Sequence, residues 1–566
     1  MTITEISPGL TLIAGSLLIP LLPGRLRSVY LVLLPLLGLF HLSQLTAGDF
    51  GVVHFIGQQL VTLRVDRWSM VFGWIFMIAT LISAIYALHV RSPLQATVGF
   101  LYAGSAIGAV FAGDLMTLFV YWELTAVTSV FLVWAGGNRQ SVFKAGMRYL
   151  IVQIASGMLL FFGALVQLNA TGSISFDHIG LDAPGGWLIF IAFGIKCAFP
   201  FLHNWLQDAY PEASEVGTVF LSAFTTKLAV YALARGFAGE GLLIPIGAAM
   251  TAFPIFYAVI ENDLRRVLAY SLNNQLGFMV VGIGIGTELS LNGTAAHAFT
   301  HILYKALLFM SMGAVLYRVG TVKGSELGGL YKSMPLTTIF CIIGAASISG
   351  VPLFSGFVSK SMILSAAGHG SYLVTWAILL FASAGVFHHS GIKIPYFAFF
   401  AHDSGKRCKE APANMLIAMG FAAFLCIGIG VMPGPLYALL PYPVDYEPYT
   451  ASHVLAQLQL LMFSALAFSV LMWTRIYPPE LRSVNLDFDW LWRVAGPAIA
   501  RRFGDALRST REGLAEALVA GARSIAESIH RHRQPNGLLL RSWPTGSMAL
   551  WVMVMLLAYL AMYYLG

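Results

Sequence analysis

Apolar runs long enough to cross a lipid bilayer recur along almost the whole chain, and that recurrence decides what it can fold into. A hydrocarbon core ~30 Å thick takes about 20 residues of helix. Sixteen such runs are read at 9–22, 28–46, 69–90, 94–113, 115–136, 145–169, 186–209, 214–238, 241–260, 266–287, 294–317, 335–366, 372–392, 412–437, 451–474 and 546–565. Inside lipid each backbone N–H and C=O needs a partner within its own segment, and the α-helix supplies it. The expected fold is an all-α polytopic membrane bundle of about 16 transmembrane helices. The composition agrees. Only 10% of residues are charged, where a soluble protein carries roughly a quarter.

The loops test this reading. Arg25 and Arg27, Arg91, Arg139 and Lys144, Arg265 and Arg266, then Arg318, Lys323 and Lys332, then Lys406, Arg407 and Lys409 fall in alternate loops. Asp49, Asp177, Asp182, Glu288, Asp445 and Glu447 fall in the others; the exception is the 47–68 loop, which also holds Arg64 and Arg67. The positive-inside rule places the basic set in the cytoplasm and both termini outside. The net charge of +7 is then a matter of orientation, and no nucleic-acid partner is expected. The four cysteines have no zinc or iron–sulfur spacing and suggest no disulfide framework. "MTITEISPGLTLIAG" lacks the basic start of a cleaved signal peptide, so the first helix is expected to be retained.

Two runs carry a proline deep inside: Pro200 in "GIKCAFPFLHNW" and Pro352 in "SISGVPLFSGFVSK". Proline removes a backbone hydrogen bond and clashes with the preceding turn. The breaks fall in spans seven and twelve, five spans apart, so matching units of five spans would be inverted relative to each other. Paired broken helices in an inverted repeat point to a transport site; a packing kink is the simpler alternative.

Ionisable residues lie inside the runs. Glu123 sits mid-span in "MTLFVYWELTAVTSVFLVW". Lys196 precedes Pro200 by four residues, Lys227 lies in span eight, and Lys360 follows the break in span twelve. In span eleven, His297, His301 and Lys305 are spaced i, i+4, i+8 and share a helix face. Each such group costs roughly 2.5 to 3.5 kcal/mol at a helix centre, so they are expected to face each other or water. A carboxylate, four lysines and two histidines make a proton relay, because burial and close pairing act in opposite directions on their proton affinities. Simpler readings stand beside it. Glu123 can anchor one lysine, Lys360 can snorkel to the interface, and His297 with His301 can ligate a metal. No carboxylate or cysteine joins those histidines in their span, so no metal is expected. "GIGIG" at 282–286 has no preceding strand and is no dinucleotide loop.

After span fifteen the character changes. Phe503, Leu507, Leu514, Leu518, Ile525 and Ile529 recur at 4, 7, 4, 7, 4, a straight helical stripe with arginines on the other faces. This predicts a C-terminal amphipathic helix on the membrane surface or against the bundle, the alternative being a soluble hairpin. The expected organisation is 1–93, helices one to three; 94–240 and 241–392, two five-helix repeats; 393–483, helices fourteen and fifteen; 484–545, the amphipathic segment; and 546–566, a last helix.

"YWEL", "GIKCAFPFLHNWLQDAYPEAS", "AFTTKLAVYAL", "LRRVLAYSLNNQLGFM", "HAFTHILYKALLFM" and "SGFVSKSMIL" occur in an order that resembles the antiporter-like membrane subunits of complex I, membrane-bound hydrogenases and Mrp cation/proton antiporters. Among these, the motifs are most similar to the Mrp D-type subunit. The last segment instead resembles the lateral helix of the distal complex I subunit. The proline–threonine–proline run of many relatives is replaced by "YPEASEVGTVF". The resemblance implies two inverted five-helix repeats, spans four to eight and nine to thirteen, with helices seven and twelve broken. It implies Glu123 and Lys196 as the acid–lysine pair of the first half, Lys227 as the link to a central polar axis, His297, His301 and Lys305 as its continuation, and Lys360 as the terminal lysine.

The function expected is a proton-translocating, non-enzymatic subunit of a multisubunit sodium/proton antiporter in the bacterial inner membrane, with other membrane subunits as partners and no cofactor. The alternatives are the proton-pumping arm of a redox complex and the membrane subunit of an inorganic-carbon uptake system.

Overall fold

The computed structural model describes residues 5–55, 57–370, 372–481, 485–534 and 543–565. It is mostly helical and divides into two units, Met1–Asp487 and Phe488–Gly566. In chain order the first unit holds α1 (Pro8–Ser16), α2 (Gly24–Ser43), strands β1 (Gly48–Phe55) and β2 (Gln58–Val65), α3 (Arg67–Ala87), α4 (Pro93–Val110), α5 (Leu115–Trp134) and α6 (Gln140–Thr171). There follow α7 (Gly186–Cys197), α8 (Asn204–Ala209), α9 (Glu215–Ala223), α10 (Thr225–Gly236), α11 (Leu243–Ile260), α12 (Leu264–Ile285) and α13 (Glu288–Val319). The remainder is α14 (Pro335–Ser349), α15 (Ser355–His369), α16 (Leu373–Val386), α17 (Lys393–Pro395), α18 (Ala413–Val431), α19 (Gly434–Leu439) and α20 (Ala451–Trp473). Among the described residues, 11 helices are long and apolar enough to cross a membrane, so the protein is a multi-pass membrane protein.

Polar residues at the helix starts take up otherwise orphaned N–H groups. Asp66 and Ser69 form a reciprocal capping box on α3, Asp114 caps α5 and Asp263 caps α12. Glycines let α11 and α12 touch: a Cβ on Gly247 would lie 2.7 Å from the Gly277 carbonyl oxygen. Small residues at helix contacts are how membrane helices pack without a hydrophobic driving force.

The 47–68 stretch, expected as a loop in an all-α chain, is an antiparallel hairpin pairing Gly48 with Val65 through Phe55 with Gln58. Leu63 and Val65 are buried along β2, the period-two pattern of a half-buried strand. The Arg64 side chain, the misfit in the loop-charge pattern, pairs with Asp49 at 3.2 Å and Asp177 at 2.8 Å and is neutralised among the acidic loops. Val61 N–H bonds the Asp114 carboxylate at 2.8 Å, so the hairpin holds the cap of the helix that carries Glu123. Burial raises the Asp114 carboxyl above its ordinary pKa, and its hydrogen bonds from Thr117 and Val61 oppose that rise.

Both expected proline breaks are present. α7 stops at Cys197 and α8 resumes at Asn204; α14 stops at Ser349 and α15 resumes at Ser355. Span eight, expected as one helix, is also interrupted, at Phe224 between α9 and α10. Span thirteen, expected to end at 392, runs to Phe400 through wide π-turns on both sides of α17.

In the second unit the six-residue apolar stripe lies on one helix, α21 (Gly496–His532), with every stripe residue exposed. α22 (Thr545–Leu565) follows. Residues 484 and 535–542 of the expected amphipathic segment lie outside the described residues.

Candidate functional site

The break in α7 leaves Lys196 in its last turn, fully buried and aimed at α5. Lys196 Nζ donates to the Trp122 carbonyl at 2.6 Å and to Thr125 Oγ1 at 2.8 Å, and sits 4.5 Å from the Trp122 ring centre. Trp122 is itself fixed by Nε1 donating to Ser156 Oγ at 3.0 Å, which in turn donates to the Ala192 carbonyl. Glu123 follows Trp122 in α5, yet no ion pair within 4.0 Å joins it to Lys196. Its Oε1 is buried without a hydrogen-bond partner, against Gly157 of α6, where an added Cβ would fall 1.5 Å from that oxygen. The expected direct pair is therefore open in this structure. The lysine bonds the turn that carries the acid instead of the acid itself, so neither charge is locked by the other.

Lys227 is buried just beyond the Phe224 interruption. Its Nζ donates to the Ser222 carbonyl at 2.7 Å and to Thr226 Oγ1 at 3.2 Å. The other freed groups are also met by side chains. Tyr210 OH donates to the Leu221 carbonyl at 2.7 Å, and Thr225 N–H donates to Tyr102 OH at 3.0 Å. Side chains that satisfy freed backbone groups allow a membrane helix to break without a proline.

His297, His301 and Lys305 lie buried on α13. The His297 ring joins Ser359 Oγ at 3.2 Å and Tyr304 OH at 3.5 Å, and Tyr304 donates to Gln275 Oε1 at 3.3 Å. Gln275 donates to Asn274 at 2.6 Å within α12. Both His301 nitrogens and Lys305 Nζ are buried without a hydrogen-bond partner in the protein. Leaving such a group unpaired costs about 1–3 kcal/mol, and ordered water is its usual partner. Lys360, only 3% exposed, donates to the Ile348 carbonyl at 3.1 Å. Burial at that depth removes the snorkelling alternative.

Three groups escape the sequence reading. Lys393 is fully buried, although the expected end of span thirteen leaves it in a loop. His389 shares its π-turns, and its Nδ1 meets Ser390 Oγ at 2.9 Å, which donates to Ser271 Oγ of α12 at 2.7 Å. Asp487 accepts from Tyr270 OH at 2.8 Å and from Asn204 Nδ2, and its carboxylate meets His203 Nε2 at 3.1 Å, just past the α7 break. The only signal for Lys393 was its lie one residue beyond a predicted span; Asp487 gave none.

The family described as NADH:quinone oxidoreductase/Mrp antiporter, TM matches residues 112–388. Hydrogenase-4 component B of Escherichia coli K12 is 25% identical over 498 residues, covering 79% of this chain and 73% of its own. NADH-quinone oxidoreductase subunit N of Desulforudis audaxviator is 30% identical over 397 residues, 63% of this chain and 77% of its own. A chain in the structure of the Mrp complex from Dietzia sp. DQ12-45-1b superimposes with a TM-score of 0.68 at 20% identity, covering 85% of this chain and 100% of that one, a likeness of fold.

Proposed function

Because the chain belongs to the membrane-subunit family shared by NADH:quinone oxidoreductases and Mrp antiporters, we propose that it translocates protons through its buried lysines and histidines, as a subunit of a multisubunit sodium/proton antiporter. In this reading sixteen spans include two inverted five-helix repeats, spans four to eight and nine to thirteen. Lys196, Lys227, His297, His301, Lys305 and Lys360 carry the proton, and Glu123 sets the charge state of Lys196. The observation that carries the reading is the open arrangement at α5. Lys196 is held by a carbonyl and a hydroxyl, while Glu123 stands one residue along with an unpaired oxygen. Closing and opening that pair changes the proton affinity of both groups, the pair favouring their charged forms and burial opposing them.

Other membrane subunits are the proposed partners, in the inner membrane of a bacterium with the basic loops in the cytoplasm. A second reading makes the chain the proton-pumping arm of a redox complex; it is favoured by the span of the match to hydrogenase-4 component B, 79% of the chain. Purification of the tagged chain in mild detergent, with mass spectrometry of its companions, separates the two. Small hydrophobic antiporter subunits and no redox protein are the expected companions. Iron–sulfur, flavin or hydrogenase subunits overturn the antiporter assignment and leave the redox arm.

A further inference from the structure

The proton path leaves one buried lysine unused. Lys393 Nζ donates to the Val259 and Glu261 carbonyls at 2.6 Å and to that of Ala258 at 3.2 Å, all at the end of α11. Glu480 Oε1 lies 3.1 Å from the same nitrogen, an ion pair whose angles fall short of a hydrogen bond, with the carboxylate itself nearly buried. Three carbonyls take up the three N–H donors of an ammonium, and the carboxylate balances its charge. An ion pair buried this deeply is weak evidence of a stabilising role, because desolvation offsets the attraction. Wide π-turns of the kind that frame Lys393 also recur at functional sites in helices.

Around this group lie a cavity on one side and the α12–α13 polar residues on the other. The peptide that anchors it, ending in Glu261, is also a wall of a cavity of about 750 Å³ among the basic loops, lined with Arg265, Arg266, Lys323 and Glu326. Glu261 is 3% exposed. Its Oε1 accepts from the backbone of Asn262 and Asp263, while Oε2 is buried without a hydrogen-bond partner. Burial raises the carboxyl pKa of Glu261 and of Glu480 above the ordinary value, with Arg266 and Lys393 respectively opposing the rise. Inward, His389 precedes Lys393 by four residues and has a free Nε2. The Ser390–Ser271 bond then reaches α12, one turn before Gln275, which accepts from Tyr304, itself in contact with His297.

We propose that Lys393, with Glu480 as its counter-ion and the Glu261 wall as its approach to water, loads protons into the second half of the molecule. The inference rests on the proton-path reading above. Lys393 passes a proton inward to the His389 imidazole. Glu261 takes a proton from water in the cavity it lines and Glu480 hands one to Lys393 in its place, so the ammonium is restored and no electron moves.

The test is proton flux in proteoliposomes holding the whole purified complex, read with a pH-sensitive dye under an imposed sodium or potassium gradient, or with the electron donor where a redox partner co-purifies. Lys393→Arg keeps the charge and the carbonyl contacts but does not release a proton. It is expected to lower flux about a hundredfold, whereas a purely structural cation would be rescued by arginine. Glu480→Gln keeps the shape and is expected to lower flux about tenfold; it stands as the second test should the arginine variant fail to assemble. Parent-level flux in assembled Lys393→Arg, or in Glu480→Gln, overturns the proposal. Lys196→Arg, made alongside, separates the two readings. If it is inactive while Lys393→Arg is fully active, only the loading site falls; if both are fully active, the proton path falls with it.

Discussion

The two broken helices are built to one pattern and used differently. At the first, Ala198 N–H bonds the Ile195 carbonyl and Phe199 N–H the Gly194 carbonyl, at 3.1 and 3.0 Å. At the second, Gly350 and Val351 repeat those bonds to Ser347 and Ala346, both at 3.1 Å. Ala198 and Phe201 have positive φ at the first break, as Gly350 and Leu353 do at the second, each pair flanking the proline. The lysines do not repeat. Lys196 lies before its proline and reaches across to another helix, α5. Lys360 lies after its proline and reaches back to Ile348, at the end of its own first half. Among the described residues neither lysine has a carboxylate within 4.0 Å, but the two α5 residues that Lys196 bonds, Trp122 and Thr125, flank Glu123. The two breaks share their backbone geometry and differ in where the nearby lysine finds its acceptors.

That contrast can be broken experimentally. The largest effect is expected at Lys360. If both lysines carry the same proton in series, Lys360→Ala lowers flux by about a hundredfold although no acid pairs with it; near-normal flux would leave the first half working alone. A smaller effect is expected from Gly157→Ala. The new methyl would fall 1.5 Å from Glu123 Oε1, so the flexible carboxylate must move while its chemistry is untouched. Misplacing a proton-transfer group by about an ångström lowers the rate by up to about a hundredfold, and flux in the same proteoliposomes should fall by roughly tenfold. Unchanged flux would show that the position of Glu123 does not matter. Thr125→Val removes one of the two acceptors of Lys196; a loss of about 1–3 kcal/mol is expected in thermal unfolding of the detergent-solubilised protein. The smallest effects test the shared break geometry itself. Ala198 holds a left-handed conformation that disfavours a side chain by about 1–2 kcal/mol, so Ala198→Gly should raise the melting temperature and Gly350→Ala should lower it. Equal, same-sign shifts would deny that the two caps are equivalent.

Much of this architecture is legible in the sequence because the bilayer leaves few choices. Pro200 and Pro352 announce their breaks, and burying ionisable side chains in apolar runs forces them inward. What escapes the sequence is settled by tertiary partners. Phe224 marks a break with neither proline nor glycine, because Tyr102, Tyr210 and Lys227 replace the lost backbone bonds. The hairpin hides behind Gly48, Asp49, Gly51 and Gly57, which read as loop residues until β2 is seen packed on the α4–α5 turn through Arg64 and Val61. The open Glu123–Lys196 arrangement depends on the room Gly157 leaves in α6. Lys393 falls one residue past the expected end of span thirteen, yet the helix widens into π-turns and carries it inward.

The central claim is that Lys196 carries the transported proton. The most direct measurement is proton flux through proteoliposomes of the purified complex bearing Lys196→Ala, with the amount of the chain in the membrane quantified in the same preparation. Flux lost at unchanged membrane content is the predicted result. Full flux in that variant would contradict the account.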